Sequence, residues 1–351
     1  MWRPRPWRWL RRPVSSEAAA AEEGGGAVGE RGLREAGDGG AGIEVDPHES
    51  GRVFAAGLND FGQLGIGSSV THFLEPVEVL GFDEKVVEVS AGNHHSCAVT
   101  ADGKLFVWGR NSSGQLGLGK RAGKVVSTPR KVDCLADARV KMVALGSEHS
   151  IATTEDGEVL SWGAAGAGRL GHGHKTNILG FSMTTSEYTP RLIRNLDGVK
   201  IKRIAAGMLQ SACIDVFNIE LQGFGRSGDE LRPTIVEERM LAYIKFLTSG
   251  TDMIRSPEVL KSSLFKFPVS KVSCGWKHTA VISGGDIYTW GWGGADGTFF
   301  EEGHSSGGQL GHGDDVDYFE PMMVKFSNNA KAIHVSCGFN HTGAIFEYSE
   351  N

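Results

Sequence analysis

GRNSSGQLGLG, residues 109–119, sets four glycines around a single Gln-Leu pair. Such a stretch is either a loop that cradles a phosphate or a tight structural turn. Recurrence separates the two. FGQLGIG stands at 61–67, SGQLGLG at 113–119, AGRLGHG at 167–173 and GGQLGHG at 307–313. A phosphate-loop match also fails in detail, because Gly123-Lys124 has no glycine five residues upstream and no Ser or Thr after it. Gly117-x-Gly119-x-x-Ala122 mimics a dinucleotide fingerprint, but it belongs to the recurring turn. Gly62, Gly65, Gly114, Gly117, Gly168, Gly171, Gly308 and Gly311 therefore read as structural positions, where glycine supplies backbone conformations closed to other residues. Leu116 and its counterparts read as the apolar plug of an otherwise bare turn.

A second landmark alternates with the first. SAGNHHS (90–96), ALGSEHS (144–150), SCGWKHT (273–279) and SCGFNHT (336–342) each place a glycine three residues before a His-Ser or His-Thr pair. AAGMLQS (205–211) is a weaker copy with Gln210 in place of histidine. Between the landmarks lie strand-like stretches ending in Trp-Gly: KLFVWG, EVLSWG and DIYTWG. Gly62 to Gly114 spans 52 residues and Gly114 to Gly168 spans 54. A period near fifty with several short strands per unit predicts an all-β chain, a β-propeller of four-stranded blades. Within one unit, 86–92 and 96–100 form two strands, joined through the Asp102-Gly103 hairpin turn to a third at 104–109. The segment near Pro129 and Val132 forms the fourth.

The chain's 351 residues, with 40% hydrophobic and 22% charged content, allow a sizeable core, and 50 glycines suit a turn-rich fold. A net charge of −6 argues against electrostatically driven nucleic-acid binding. Five cysteines without C-x-x-C spacing give neither a disulfide framework nor a zinc pattern. Residues 1–50 differ from the rest. The first sixteen carry Arg3, Arg5, Arg8, Arg11 and Arg12 and no acid, which predicts a transit peptide, although Pro4 and Pro6 oppose a helix. Residues 17–50, rich in Gly, Ala and Glu, are expected to remain a disordered linker to the propeller of 51–351. The expected destination is the mitochondrion, with the chloroplast or the cytoplasm and nucleus as alternatives. No apolar run approaches the roughly 20 residues of a membrane span.

Together the Gly-Gln-Leu-Gly turns, Trp-Gly strand ends and Gly-x-x-His-Ser/Thr segments, over residues 53–346, closely resemble the regulator-of-chromosome-condensation repeat family, including its organellar plant-type members. The resemblance implies a propeller, usually of seven blades. It also implies one of three roles: guanine-nucleotide exchange on a small GTPase, ultraviolet-B photoreception, or scaffolding, with organellar members connected with RNA processing. The expectation is a non-catalytic monomeric scaffold for a protein or ribonucleoprotein partner, meeting RNA only indirectly and needing no cofactor. Exchange on a small GTPase is the alternative. Photoreception is disfavoured because Trp276-Lys277-His278-Thr279 is the one copy of the photoreceptor-like motif, with Lys277 where that motif has arginine, and a lone tryptophan forms no array.

Two departures from the family stand out. The fourth unit is degenerate: ELQGFG (220–225) replaces the Trp-Gly end, RSGDEL has lost the Leu-Gly turn, and 235–250 reads as helical. Five third-and-fourth-strand halves begin at 53, 104, 158, 219 and 286, and five first-and-second-strand halves at 86, 140, 201, 271 and 331. That phase predicts a ring closed by pairing 53–57 with 331–346; an incomplete form of a seven-bladed protein is the rival.

Candidate contacts with a partner are Trp276, Lys277 and the expanded loop 291–313, which carries Phe299, Phe300, Glu301 and Glu302. His95, His149, His278 and His341 share one repeat position, expected to hydrogen-bond a neighbouring strand rather than hold a metal. Cys274 and Cys337 align with Ala91, Leu145 and Ala206, which marks an apolar position and inert thiols. No carboxylate pair has a partnering base, so no acid–base constellation is evident.

Overall fold

The computed structural model describes residues 42–45, 51–173, 177–178, 181–182, 186–215, 221–224, 258–260, 265, 267–294, 307–326, 330–338 and 340–348. All fall within one compact unit, Gly32–Asn351. Phe299, Phe300, Glu301, Glu302 and the segment 235–250 lie outside the described residues.

Strands β1 (Gly42–Val45), β2 (Val53–Leu58) and β3 (His72–Val79) form a first, three-stranded sheet. Blade two is β4 (Val86–Ala91), β5 (His95–Thr100), β6 (Leu105–Arg110) and β7 (Val125–Lys131). Blade three is β8 (Val140–Leu145), β9 (His149–Thr154), β10 (Val159–Gly163) and β13 (Glu187–Leu192); a small hairpin, β11 (Asn177–Ile178) and β12 (Phe181–Ser182), interrupts it. Blade four is β14 (Ile201–Ala206), β15 (Ser211–Asp215), β16 (Leu221–Phe224) and β17 (Glu258–Leu260). Blade five is β18 (Val269–Cys274), β19 (His278–Ser283), β20 (Asp286–Gly291) and β21 (Tyr318–Met323). The pair β22 (Ala330–Cys337) and β23 (Thr342–Tyr348) ends the series.

Each blade is an antiparallel meander, and its strand order follows from short turns. In blade two, Thr100 Oγ1 donates to Asp102 Oδ1 (2.6 Å) and Gly103 takes φ +82°, so the Asp-Gly turn folds β6 back onto β5. Second strands are buried along their whole length: every residue of β5, β9 and β19 is buried. Core clusters sit between neighbouring blades. One joins Val99, Leu105, Leu116, Val143 and Trp162 across blades two and three. Another joins Val53, Leu64, Val89 and Trp108 across the first sheet and blade two.

The degenerate fourth unit still makes a four-stranded blade, with Ala212↔Gly223 and Gln222↔Val259 in register. β17 carries no motif that predicted it.

Ring closure by 53–57 with 331–346 is not what the structure shows. β2 pairs with β1, Gly42↔Ala56 through Val45↔Val53, while β23 is hydrogen-bonded to β22 alone among the described residues. β1 thus takes the seat of a second strand, in the register by which β5 meets β6, Ser96↔Trp108 through Val99↔Leu105. It also orders part of the segment expected to be a linker. A strand a few residues away in sequence closes a short loop, and so loses far less entropy than one nearly 300 residues away.

Candidate partner-binding face

Repeated hydrogen bonds fasten each blade to the next. Gln63 carbonyl accepts from Ser96 Oγ (2.8 Å) and Trp108 Nε1 (2.8 Å) of the following blade. Gln115 carbonyl accepts from Ser150 Oγ (2.8 Å) and Trp162 Nε1 (2.9 Å). Arg169 carbonyl accepts from Ser211 Oγ (2.9 Å), and Gln309 carbonyl from Thr342 Oγ1 (2.8 Å). The histidines complete the seam: His95 Nε2 lies 3.2 Å from Ser150 Oγ, His149 Nε2 2.8 Å from Ser211 Oγ, and His278 Nε2 3.0 Å from Thr342 Oγ1. A hydroxyl has one proton, and here the carbonyl takes it, so each imidazole must donate from Nε2. Burial pushes His95 down to about 3 and His278 to about 4, and holds His149 well below its usual value, so all three are neutral.

The turn glycines lie where these seams are tightest. Gly62, Gly65, Gly114, Gly117, Gly168, Gly171, Gly308 and Gly311 have φ between +69° and +80°. A Cβ on Gly65 would come within 2.7 Å of Trp108 Nε1, and one on Gly117 within 2.9 Å of Trp162 Nε1. Leu64, Leu116, Leu170 and Leu310 are buried beneath them. The turn that Arg169 enters differs: its buried guanidinium donates to the carbonyls of Gly166 (2.7 Å) and Met208 (3.0 Å), in place of a glutamine.

Between each Gly and His sits a dipeptide, and its backbone makes recurring bonds, both kinds in the units of 93–94 and 147–148 and one kind in those of 208–209 and 276–277. The N–H groups of Asn93, Ser147 and Met208 donate to the carbonyls of Gly146, Gly207 and Gly275 in the next blade (3.4, 3.2 and 3.3 Å). The carbonyls of His94, Glu148 and Lys277 accept from the N–H groups of Arg110, Ala164 and Trp292, the residues after the third-strand glycines (2.8, 2.9 and 2.9 Å). The side chains vary, and all of Asn93, His94, Ser147, Glu148, Met208, Leu209, Trp276 and Lys277 are half-buried at one end of the blades.

Two clusters stand on this face. Arg110 lies over the Phe61 ring (5.1 Å), Phe61 contacts His94 (4.9 Å), and Arg110 Nη2 approaches Glu148 Oε1 at 3.9 Å. Burial and the Arg110 charge keep the His94 pKa lowered. In blade five, Trp276 meets Trp292 edge to face at 5.4 Å, and Lys277 Nζ sits 4.4 Å from one ring centroid and 5.0 Å from the other. Trp276 is therefore not alone, as the motif count suggested. Trp292 was legible in principle, because the residue after each Trp-Gly pair leaves the strand beside the dipeptide. Cys274 is buried with its thiol pushed up to about 12 by burial, and Cys337, pushed up to about 11, donates to the Ser273 carbonyl. Among the described residues, no three His, Cys, Asp or Glu side chains cluster as a metal site, and no helix is long and apolar enough to cross a membrane.

The regulator of chromosome condensation (RCC1) repeat matches residues 50–99, 102–153, 156–214 and 296–345. The chain belongs to the regulator of chromosome condensation repeat family. Among curated relatives, this RCC1-repeat chain is 32% identical over 298 residues to the ultraviolet-B receptor UVR8 of Arabidopsis thaliana, covering 84% of the chain and 58% of the receptor. It is 28% identical to the human E3 ubiquitin-protein ligase HERC2, covering 86% of the chain but 6% of the ligase. The chain thus spans less than two thirds of the length of these relatives. In fold it is similar to human WBSCR16, with a TM-score of 0.66 and 24% identity over 88% of the chain and 70% of that protein. Yeast RCC1 (Prp20), solved with Kap60 bound, gives 0.67 and 21% over 89% and 65%.

Proposed function

We propose that this RCC1-repeat chain is a non-catalytic scaffold that binds a protein partner, alone or within a ribonucleoprotein, through the dipeptide face. The observation that carries this reading is the Trp276–Lys277–Trp292 cluster on loops whose backbones share recurring bonds. Half-exposed tryptophans beside a cation supply large, rigid contact area, the composition that dominates binding energy at protein interfaces. Affinity capture with the full chain tests the proposal. We expect Trp276→Ala and Lys277→Glu to lose the captured protein while the thermal melt stays within error of the parent. Retention of the partner by both variants would overturn the assignment. Capture of a small GTPase only in its nucleotide-free form would replace scaffolding with nucleotide exchange.

We further propose that residues 1–16 direct the chain to mitochondria, on the strength of five arginines and no acid. Residues 1–50 fused to a fluorescent reporter should localise there. A diffuse signal, or import unchanged after replacing the arginines with glutamine, contradicts it.

A further inference from the structure

Four outer strands share one bulge. In β3, β7, β13 and β21 three residues stand opposite a single residue of the neighbouring strand: 74–76 opposite Ala56, 127–129 opposite Trp108, 188–190 opposite Trp162 and 319–321 opposite Trp290. The last of each three is a proline, Pro76, Pro129, Pro190 or Pro321. Proline removes a backbone donor and holds the residue before it extended. That residue is exposed in all four strands: Glu75, Thr128, Thr189 and Glu320. Two sheets therefore carry an anion where two others carry a hydroxyl, so the bulge accommodates negative charge within an intact blade.

Of the two threonines, Thr189 stands beside cations. The Gly119 N–H donates to the Tyr188 carbonyl (2.8 Å), which sets the turn of blade two against this bulge. Lys120, Arg121 and Lys124 follow in that turn, all exposed, and none forms an ion pair among the described residues. Lys120 Nζ overhangs the strand, 6.0 Å from the Tyr188 ring centroid. The acid of the strand, Glu187, is paired with Arg191. A Cβ on Gly119 would meet nothing within 4 Å, so there is room beside the turn. Thr189 makes no hydrogen bond among the described residues, and Pro190 is fixed against Gly117, whose Cβ would lie 3.0 Å from Pro190 Cδ. Thr128 has the matching place beside Gly67, whose N–H donates to the Ser127 carbonyl (2.8 Å). The residues after Gly67, Ser-Ser-Val-Thr, carry no charge.

We propose that Thr189 is a phosphorylation site for a proline-directed Ser/Thr kinase, and that Lys120 and Arg121 receive the phosphate. The kinase moves the γ-phosphoryl group of ATP to Thr189 Oγ1. The bond from phosphorus to the bridging oxygen of ADP breaks, a bond from phosphorus to Oγ1 forms, and the hydroxyl proton leaves to a base of the kinase. The bulge offers that enzyme an extended, exposed acceptor with proline directly after it. The phosphate so formed faces the turn of blade two, and charge-assisted hydrogen bonds from Lys120 and Arg121 tie blade three to blade two. This site shares no residue with the Trp276 cluster and stands or falls separately.

The folded full-length protein is incubated with ATP and a purified mitogen-activated kinase, a proline-directed enzyme, and phosphopeptide mass spectrometry maps the product. Phosphate on Thr189 is expected. The thermal midpoint is then compared between modified and unmodified forms of each variant. At low ionic strength phosphorylation should raise it, on the order of a few degrees, and molar salt should remove the rise by screening the exposed pairs. The rise should persist in Thr128→Val and vanish in Thr189→Val. It should also vanish in the double variant Lys120→Gln, Arg121→Gln, which keeps the acceptor. A product without phosphate on Thr189 overturns the proposal. A midpoint unmoved by phosphorylation, or a rise that survives in the glutamine variant, overturns it too.

Discussion

Three seams each depend on one hydroxyl that donates to a carbonyl and accepts from an imidazole, and this fixes the protonation of three buried histidines. A histidine whose pKa falls on folding binds fewer protons in the native chain than in the unfolded chain. Its stabilising contribution is therefore complete above about 6.5 and shrinks as pH falls toward the native value. For His95 and His278, at about 3 and about 4, the loss is about 2 kcal/mol each by pH 5. Denaturant melts at pH 7 and pH 5 should show a steep acid loss, and His278→Gln should flatten it. Glutamine is a tested occupant of this position: Gln210 donates to the carbonyls of Gly275 and His278 (both 3.2 Å) in the unit where it replaces histidine. An acid slope unchanged in the variant would place the titration elsewhere.

The glycine turn is the element on which packing and backbone conformation coincide, and its glycines are not equivalent. Gly117 has φ +69° and stands against Trp162 and Pro190, so Gly117→Ala meets both strain and collision. Gly119 has φ +87° with nothing within 4 Å, so Gly119→Ala meets strain alone. We expect Gly119→Ala to cost about 1 kcal/mol and Gly117→Ala several times as much, read as the difference between two urea midpoints. Equal costs would show that the indole can yield. The turn was legible in the sequence because its glycines recur at fixed offsets. β17 was not, since Glu-Val-Leu has neither alternation long enough to mark a strand nor a neighbouring turn signal. β1 was missed because its reading depended on composition averaged over 17–50, whereas strand pairing needed four alternating residues beside an open edge.

At the scale of the whole molecule, repetition made the blades readable and hid how they end. The half-blade boundaries lie within about two residues of their strands because each is set by local turn chemistry. Closure was misjudged because it depends on which edge β2 accepts, a competition between a near strand and a distant one that no motif records. The seam between blades four and five is the other point where repetition lapses. Trp290 Nε1 is buried without a partner among the described residues, and Thr279 Oγ1 reaches only Cys274 Sγ at 4.0 Å. In blades two and three the carbonyl of the Gly-Gln-Leu-Gly turn receives the equivalent groups, and the sequence of the fourth unit lacks that motif. The Trp276–Lys277–Trp292 cluster was half legible: two members share a motif, and the third follows the Trp-Gly end of the same blade, a place the sequence marks without showing the contact.

The recurring backbone bonds under the dipeptides have an evolutionary consequence. Carbonyls and amides hold the Asn-His and Ser-Glu loops alike, an amide holds Met-Leu and a carbonyl holds Trp-Lys, whatever side chains they carry. Selection can rewrite what the face recognises, two letters per blade, without disturbing the glycines, histidines and hydroxyls that keep the blades together. Inheritance of the fold and divergence of its vocabulary are thus assigned to different residues.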